Sequence, residues 1–262
     1  MEELLRHPLV IDPPMMNAAG SLGFAPNFRL PLQWEKFGAF VTNPVSLKPR
    51  KPASGPRWRT FSGGGVLHSG HPNPGIRSVI RQYAPQWAAS RLPVIVHLLA
   101  DYPDEISRRI KQLETLENIQ AVELGFPDDI TETEVKEMIS AAVGEKPVIA
   151  RLPFLEAKWL GPFAIQSGAV AIGLSPPRGA LPDGQDIHSG RILGPGQFPV
   201  ALEAVRQLAQ ADLQVIVAGG VYTQEQAAVM VAAGALAVQI DLAIWRGDWF
   251  NLVEEENGGD HS

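Results

Sequence analysis

Short apolar runs rich in β-branched and small residues alternate along the chain with stretches whose apolar residues recur every three or four positions. Eight of the short runs, at 15–18, 39–42, 94–97, 121–124, 148–151, 170–173, 215–218 and 237–240, read as strands. The longer pattern is clearest at 104–116, 131–143, 199–210 and 223–233 and reads as amphipathic helices. Thr131 before Glu132 and Glu134, and Thr223 before Gln224 and Glu225, supply caps and an acidic first turn. Strand–helix alternation implies parallel strands, and eight such units in about 250 residues is the size of a closed barrel. An open doubly wound sheet would ordinarily use about five or six strands and carry an early glycine fingerprint. The expected fold is α/β, a (β/α)8 TIM barrel with a parallel closed sheet, forming one domain over 1–253.

Two connections are too long for simple turns. The segment 46–74 follows the second strand and 175–199 follows the sixth, which places both as long loops on the top face, where barrel sites are built. The acidic stretch 254–262 reads as a disordered tail.

Composition narrows the classes of function. Among 262 residues there is no cysteine, which excludes a disulfide framework, a zinc–thiolate site, an iron–sulfur cluster and a thiol nucleophile. A formal charge of −6 speaks against a nucleic-acid surface. No run reaches the roughly 18 apolar residues of a membrane helix, and the opening MEELLRHPLV is no secretory leader, so a cytoplasmic protein with no membrane partner is expected. With 25 glycines and 23 prolines the chain must build many tight turns.

The outer face of each barrel strand is apolar because helices cover it, so polar residues near strand ends point into the barrel or its mouth. By this rule Asn43, His97, Glu123, Arg151, Gln239 and Asp241 face the top. Glu123 and Arg151, on neighbouring strands, form either a buried ion pair or part of a site. His97 reads as a hydrogen-bonded core histidine, and Asn43 as a cap for backbone near Pro44. Asp241 needs a cation, a donor or water.

In order along nearly the whole chain, several motifs resemble the flavin-dependent dihydroorotate dehydrogenases. Asn17-Ala18-Ala19-Gly20-Ser21-Leu22-Gly23 is similar to the family's first-strand loop. Thr42-Asn43-Pro44-Val45-Ser46-Leu47-Lys48-Pro49-Arg50 is similar to its Thr-Lys-Thr-Val-Thr-Leu-Glu-Pro-Arg motif. Gly194-Pro195 resembles its Ser-Gly-Pro-Ala segment. Ile216-Val217-Ala218-Gly219-Gly220-Val221 is similar to its phosphate loop, and Ala233-Gly234-Ala235-Leu236-Ala237-Val238-Gln239-Ile240 to its eighth strand. The resemblance implies FMN as cofactor, its ring on Ala18, Ala19 and Gly20, its edge near Asn43 and Arg151, and its phosphate on Gly194, Gly219 and Gly220. A tight strand-to-helix turn is the alternative reading of Gly219 and Gly220.

The same comparison implies a divergent member that lacks the usual catalytic residues. Asn43 stands for the family's active-site lysine, and Glu123-Leu124-Gly125-Phe126-Pro127 replaces its substrate-amide and general-base motif. Arg151 stands for the strand-five lysine, and Asp241-Leu242 for a Gly-Thr beside the phosphate. A carboxylate about 5 Å from a phosphate dianion, at an effective dielectric near 20, repels it by roughly 6 kcal/mol. Standard dihydroorotate oxidation is therefore not expected. Two functions follow: a flavin-linked oxidoreductase with altered substrate, with His68 and Arg151 as candidate catalytic residues and His71 and His188 as further bases, or a non-catalytic subunit that has lost flavin and binds an anionic metabolite through Arg151 and Arg178. Trp245 and Trp249 leave room for a homodimer interface. A metal-assisted reading would gather His68, His71, Glu123 and Asp241 around one ion, but their spacing does not favour it, so no metal is expected.

Overall fold

A computed structural model describes residues 9–100, 102–127 and 129–246. The tail at 254–262, the end of the domain at 253 and Trp249 lie outside the described residues. In chain order the strands are β1 (Met15–Asn17), β2 (Phe40–Val41), β3 (Trp58–Phe61), β4 (Gly64–Leu67), β5 (Val94–Leu99) and β6 (Ile119–Gly125). There follow β7 (Val148–Pro153), β8 (Ala171–Ser175), β9 (Arg178–Asp183), β10 (Asp186–Leu193), β11 (Val215–Ala218) and β12 (Ala235–Ile240). The α-helices are α1 (Ile76–Ala88), α2 (Pro103–Glu114), α3 (Glu132–Ala142), α4 (Ala157–Gln166), α5 (Phe198–Gln210) and α6 (Gln224–Ala232).

All eight apolar runs enter one parallel sheet in the order β1-β12-β11-β8-β7-β6-β5-β2. A parallel bridge between Met16 and Ala39 brings its two ends together, completing the barrel. The seam is reinforced by a side chain. Asn17 Nδ2 donates to the Val41 carbonyl at 2.7 Å and Asn17 Oδ1 accepts from the Val41 N–H at 2.9 Å, so a buried amide supplies the two bonds a short ladder lacks.

Side-chain alternation then sorts the strands into layers. Met16, Val41, Ile95, Ala121, Ile149, Ala171, Ile216 and Ala237 fill the barrel floor. Two residues further along β5, β6, β7 and β12 the inward positions are His97, Glu123, Arg151 and Gln239, all buried. The outward residues between them, such as Val96, Leu98, Val122 and Leu124, join the larger core under the helices. α3 starts on a capping box, in which Glu134 N–H donates to Thr131 Oγ1 and Thr131 N–H donates to Glu134 Oε2.

The two long top-face connections do not stay loops. They supply β3, β4, β9 and β10, which pair antiparallel in the order β3-β4-β10-β9 as a small sheet over the mouth. Arg59 and Asp183 form an ion pair across it. The base of the first connection is pinned by the buried Asn73, whose Oδ1 accepts from Ser46 N–H and Gly75 N–H. Among the described residues no helix is long and apolar enough to cross a membrane.

Candidate active site at the barrel mouth

The polar layer is a closed network centred on one carboxylate. Glu123 Oε1 lies 2.6 Å from His97 Nδ1 and accepts from Arg151 Nη1 at 2.9 Å, while Glu123 Oε2 accepts from Gln239 Nε2 at 2.5 Å. Arg151 Nη1 also donates to Gln239 Oε1 at 2.6 Å. Burial alone would raise the Glu123 carboxyl, but the Arg151 guanidinium and the His97 and Gln239 hydrogen bonds outweigh it and hold the pKa at about 2. His97 goes the other way: burial keeps its pKa below the ordinary histidine value despite the Glu123 contact, so the ring is neutral and donates Nδ1–H to the carboxylate. That fixes the tautomer and leaves the Nε2 lone pair beside Gly125, where an added Cβ would sit 2.6 Å away. The arrangement can accept a proton or a hydrogen bond from a molecule in the mouth. Arg151 is thus part of an ion pair and also lines the cavity above it.

Two cavities that share residues open over this layer. The lower one, about 80 Å³, is lined by Ala19, His97, Arg151, Pro176, Arg178 and Arg191 among others. The outer one, about 280 Å³, is lined by Arg50, His68, His71, Gly125, Arg178 and Arg191 among others. Small-molecule sites usually enclose roughly 300–1,000 Å³, so the outer cavity is of the size for a small ligand. His71 is held down to about 3 by burial first and by Arg191 next, and is therefore uncharged at neutral pH. Its backbone is left-handed, with φ of 50°, and its N–H donates to Ser69 Oγ. His68 faces His188 edge-on at 6.4 Å between ring centroids, and His188 is buried against the Val66 carbonyl. Among the described residues no group of three or more His, Asp or Glu is placed to hold a metal ion, so His68, His71, Glu123 and Asp241 are not gathered around one centre.

The opposite side of the mouth, after β11 and β12, carries Gly219, Gly220 and Asp241. Gly219 has φ of +102°, and a Cβ there would lie 2.7 Å from Pro176 Cγ. A Cβ on Gly220 would lie 2.5 Å from the Phe198 nitrogen, and one on Gly194 would lie 2.3 Å from the Gly63 carbonyl oxygen. The chain's own packing thus accounts for all three glycines. Asp241 Oδ1 accepts from the Leu242 N–H at 2.5 Å, placing a carboxylate on a backbone donor at the end of β12. Burial raises its pKa, opposed by the Leu242 N–H. Asp241 Oδ2 and Gln197 Oε1 are buried without a hydrogen-bond partner.

The chain has counterparts among known proteins. It is 29% identical over 257 residues to the catalytic subunit of dihydroorotate dehydrogenase B (NAD(+)) of Desulforudis audaxviator, covering 90% of this chain and 84% of that one. The chain is a relative of the dihydroorotate dehydrogenases. A putative dihydroorotate dehydrogenase A (fumarate) of Pediococcus pentosaceus is 25% identical over 260 residues, covering 88% of this chain and 84% of that one. Among solved structures, the Eimeria tenella dihydroorotate dehydrogenase in complex with ferulenol superimposes with a TM-score of 0.68 at 16% identity, over 88% of this chain and 76% of that one. No family model matches the chain.

The residues aligned with the dihydroorotate dehydrogenase motifs take distinct places. Ala18 and Ala19 are buried in the first-strand loop, Ala19 in the wall of the lower cavity. Gly20 has φ of +93° and packs on Pro44, and Ser21 Oγ donates to the Ala18 carbonyl at 2.7 Å. Asn43 ties this loop to the second strand, its Oδ1 accepting from the Gly23 N–H at 3.1 Å. FMN is the cofactor that the resemblance implies, and its phosphate would need donors. Near Gly219 and Gly220 the buried side-chain atoms without a partner, Asp241 Oδ2 and Gln197 Oε1, are oxygens, and Asp241 occupies the Leu242 N–H, so the Asp241 side chain does not suit that group. Sequence reasoning missed Asn17 and Arg191. The first was visible as a polar residue in an apolar run, and the second in the hairpin that Asp183-Gly184 turns between β9 and β10.

Proposed function

We propose that this chain is a dihydroorotate-dehydrogenase-like barrel protein that receives a small anionic metabolite at its mouth without FMN, and that dihydroorotate oxidation is not its activity. The Asp241 side chain carries this reading, because it occupies the Leu242 N–H where the family's phosphate would need a donor. His97, oriented by Glu123, offers its Nε2 to a bound molecule, and Arg151 adds positive charge to the floor. The absorption spectrum of freshly purified protein, before and after incubation with excess FMN and desalting, tests the reading. A colourless protein that retains no FMN is the expected result; a stoichiometric visible flavin band overturns it. A second reading, a flavin-linked oxidoreductase with altered substrate in which His68 and Arg151 act, is favoured by Ala19 and Arg151 sharing the lower cavity and by the family of the relatives. A flavin band would select it.

A further inference from the structure

His97 on β5 and Glu123 on β6 are register partners, so alternation turns both side chains inward at one level, where Nδ1 meets Oε1 at 2.6 Å. The histidine is held through its backbone as well, its N–H donating to Thr42 Oγ1 at 3.1 Å. With Nδ1 committed to the carboxylate, Nε2 has no hydrogen-bond partner among the described residues, and it is not sealed in, because the ring lines the lower cavity. The position that would cover it is Gly125, two residues beyond Glu123 on the same face of β6. A Cβ there would stand 2.6 Å from Nε2 and 2.9 Å from Cε1. Burial keeps the ring unprotonated and so able to accept a proton. A carboxylate behind an imidazole, with the second nitrogen turned to open space, orients a general base and stabilises the imidazolium it becomes.

Arg151 donates to the same Glu123 oxygen through Nη1, so a guanidinium and an imidazole flank one carboxylate and wall one cavity. The outer cavity adjoins the lower one along Gly125 and Phe126. These two groups together select a class of substrate. An imidazole removes a proton from carbon at a useful rate where a neighbouring carbonyl takes up the electron pair, and the oxygen that gains charge needs a cation beside it. The carboxylate of a 2-oxo acid adds the negative charge that a guanidinium attracts.

We propose that His97, its Nδ1–H held by Glu123, is a general base for enolisation of a compact 2-oxo carboxylate, with Arg151 beside the oxygen that gains charge. This deepens the proposed function by naming a reaction and a substrate class, and it rests on the reading that a small anion occupies the mouth. In the step, Nε2 forms a bond to a proton on the carbon next to the carbonyl. The C–H electron pair becomes the carbon–carbon double bond, and the carbonyl π pair passes to the oxygen as an enolate. Return of the proton regenerates the 2-oxo acid; in heavy water a deuteron returns in its place. No electron is gained or lost overall.

The test follows the full chain in heavy water by proton NMR, with pyruvate and 2-oxobutyrate as probes, reading loss of the protons next to the carbonyl. Exchange of at least one probe is expected to run about tenfold or more faster than with free imidazole at the same concentration, and His97→Ala to slow it by about tenfold or more. Added imidazole is expected to restore part of the rate in that variant, a response that a purely structural role of the side chain does not give. Smaller acceleration with both probes overturns the proposal, as does a parent-like rate in His97→Ala or a lost rate that imidazole leaves unrestored. The melting curve of the variant reports whether it folds. Should it fail to fold, Gly125→Ala, which keeps both dyad residues and sets a methyl against Nε2, takes its place, and unchanged exchange there overturns the proposal. A flavin band in the separate spectral assay sinks the flavin-free reading and leaves the exchange result standing, whereas a colourless protein without exchange sinks the enolisation alone.

Discussion

The two sides of the barrel mouth are built from the same strand-and-turn alternation and present opposite chemistry. After β11 and β12 the glycine turns are closed over by Pro176 and Phe198, and the buried side-chain atoms left without partners there, Asp241 Oδ2 and Gln197 Oε1, are oxygens. Above β5 and β6, beneath the accessory sheet, Arg50, Arg178 and Arg191 surround an open cavity. A glycine pair permits close backbone approach, but the donors and acceptors around it decide what approaches. On one side the chain's own atoms do; on the other, a cavity lined by arginines stays open.

The contrast is broken most severely at the polar layer on which both sides stand. Glu123→Ala removes the acceptor for Arg151, His97 and Gln239 and leaves a buried guanidinium without its counter-ion. An expected loss of about 3–5 kcal/mol in chemical denaturation follows from breaking a buried pair. A loss below about 1 kcal/mol, the range of exposed pairs, would show that the layer is not a structural support.

A smaller effect separates the sides themselves. Gly219→Ala places a Cβ against Pro176 in a left-handed conformation and is expected to cost about 1–3 kcal/mol while leaving exchange of the 2-oxo acid probes unchanged. A variant of native stability with impaired exchange would instead make the glycine turn the binding surface.

The smallest effect is set by pH on the arginine side. Between the ordinary histidine value of 6.5 and about 3, the unfolded chain protonates His71 while the folded chain does not, so the unfolded state binds more protons and stability falls as pH falls. Glu123 adds to this below its ordinary 4.5, since the folded carboxylate stays ionised down to about 2. Melting temperature is expected to drop steadily on acidification from pH 6.5 to 4.5, and His71→Asn, which tolerates the left-handed backbone, to flatten that slope. An equally steep slope in the variant would place the acid sensitivity elsewhere.

What could be read from the chain divides along the same line. Every barrel strand was legible, because parallel strands covered on both faces are apolar runs bounded by turn residues. The inward set His97, Glu123, Arg151 and Gln239 followed from alternation alone. α1 and α4 were not legible, since Pro85 interrupts the first, and Gly161 and Pro162 the second, with residues that argue against a helix. The accessory sheet was hidden for another reason. β4 is Gly-Gly-Val-Leu, which reads as a loop, and its partner β10 lies more than a hundred residues away. Arg178 and Arg191 pair within the β9–β10 hairpin, but the sheet that holds that hairpin over the mouth exists only once β4 and β10 meet. The glycine turn was legible as a motif, but its closure by Pro176 and Phe198 depends on packing between elements.

The most direct test is an amide chemical-shift titration of the isotope-labelled protein with pyruvate. Signals of His71, His97 and Gly125 are expected to move together to saturation, while those of Gly219, Gly220 and Leu242 stay in place. Saturable shifts at Gly219, Gly220 and Leu242, with His71, His97 and Gly125 unmoved, would contradict the account.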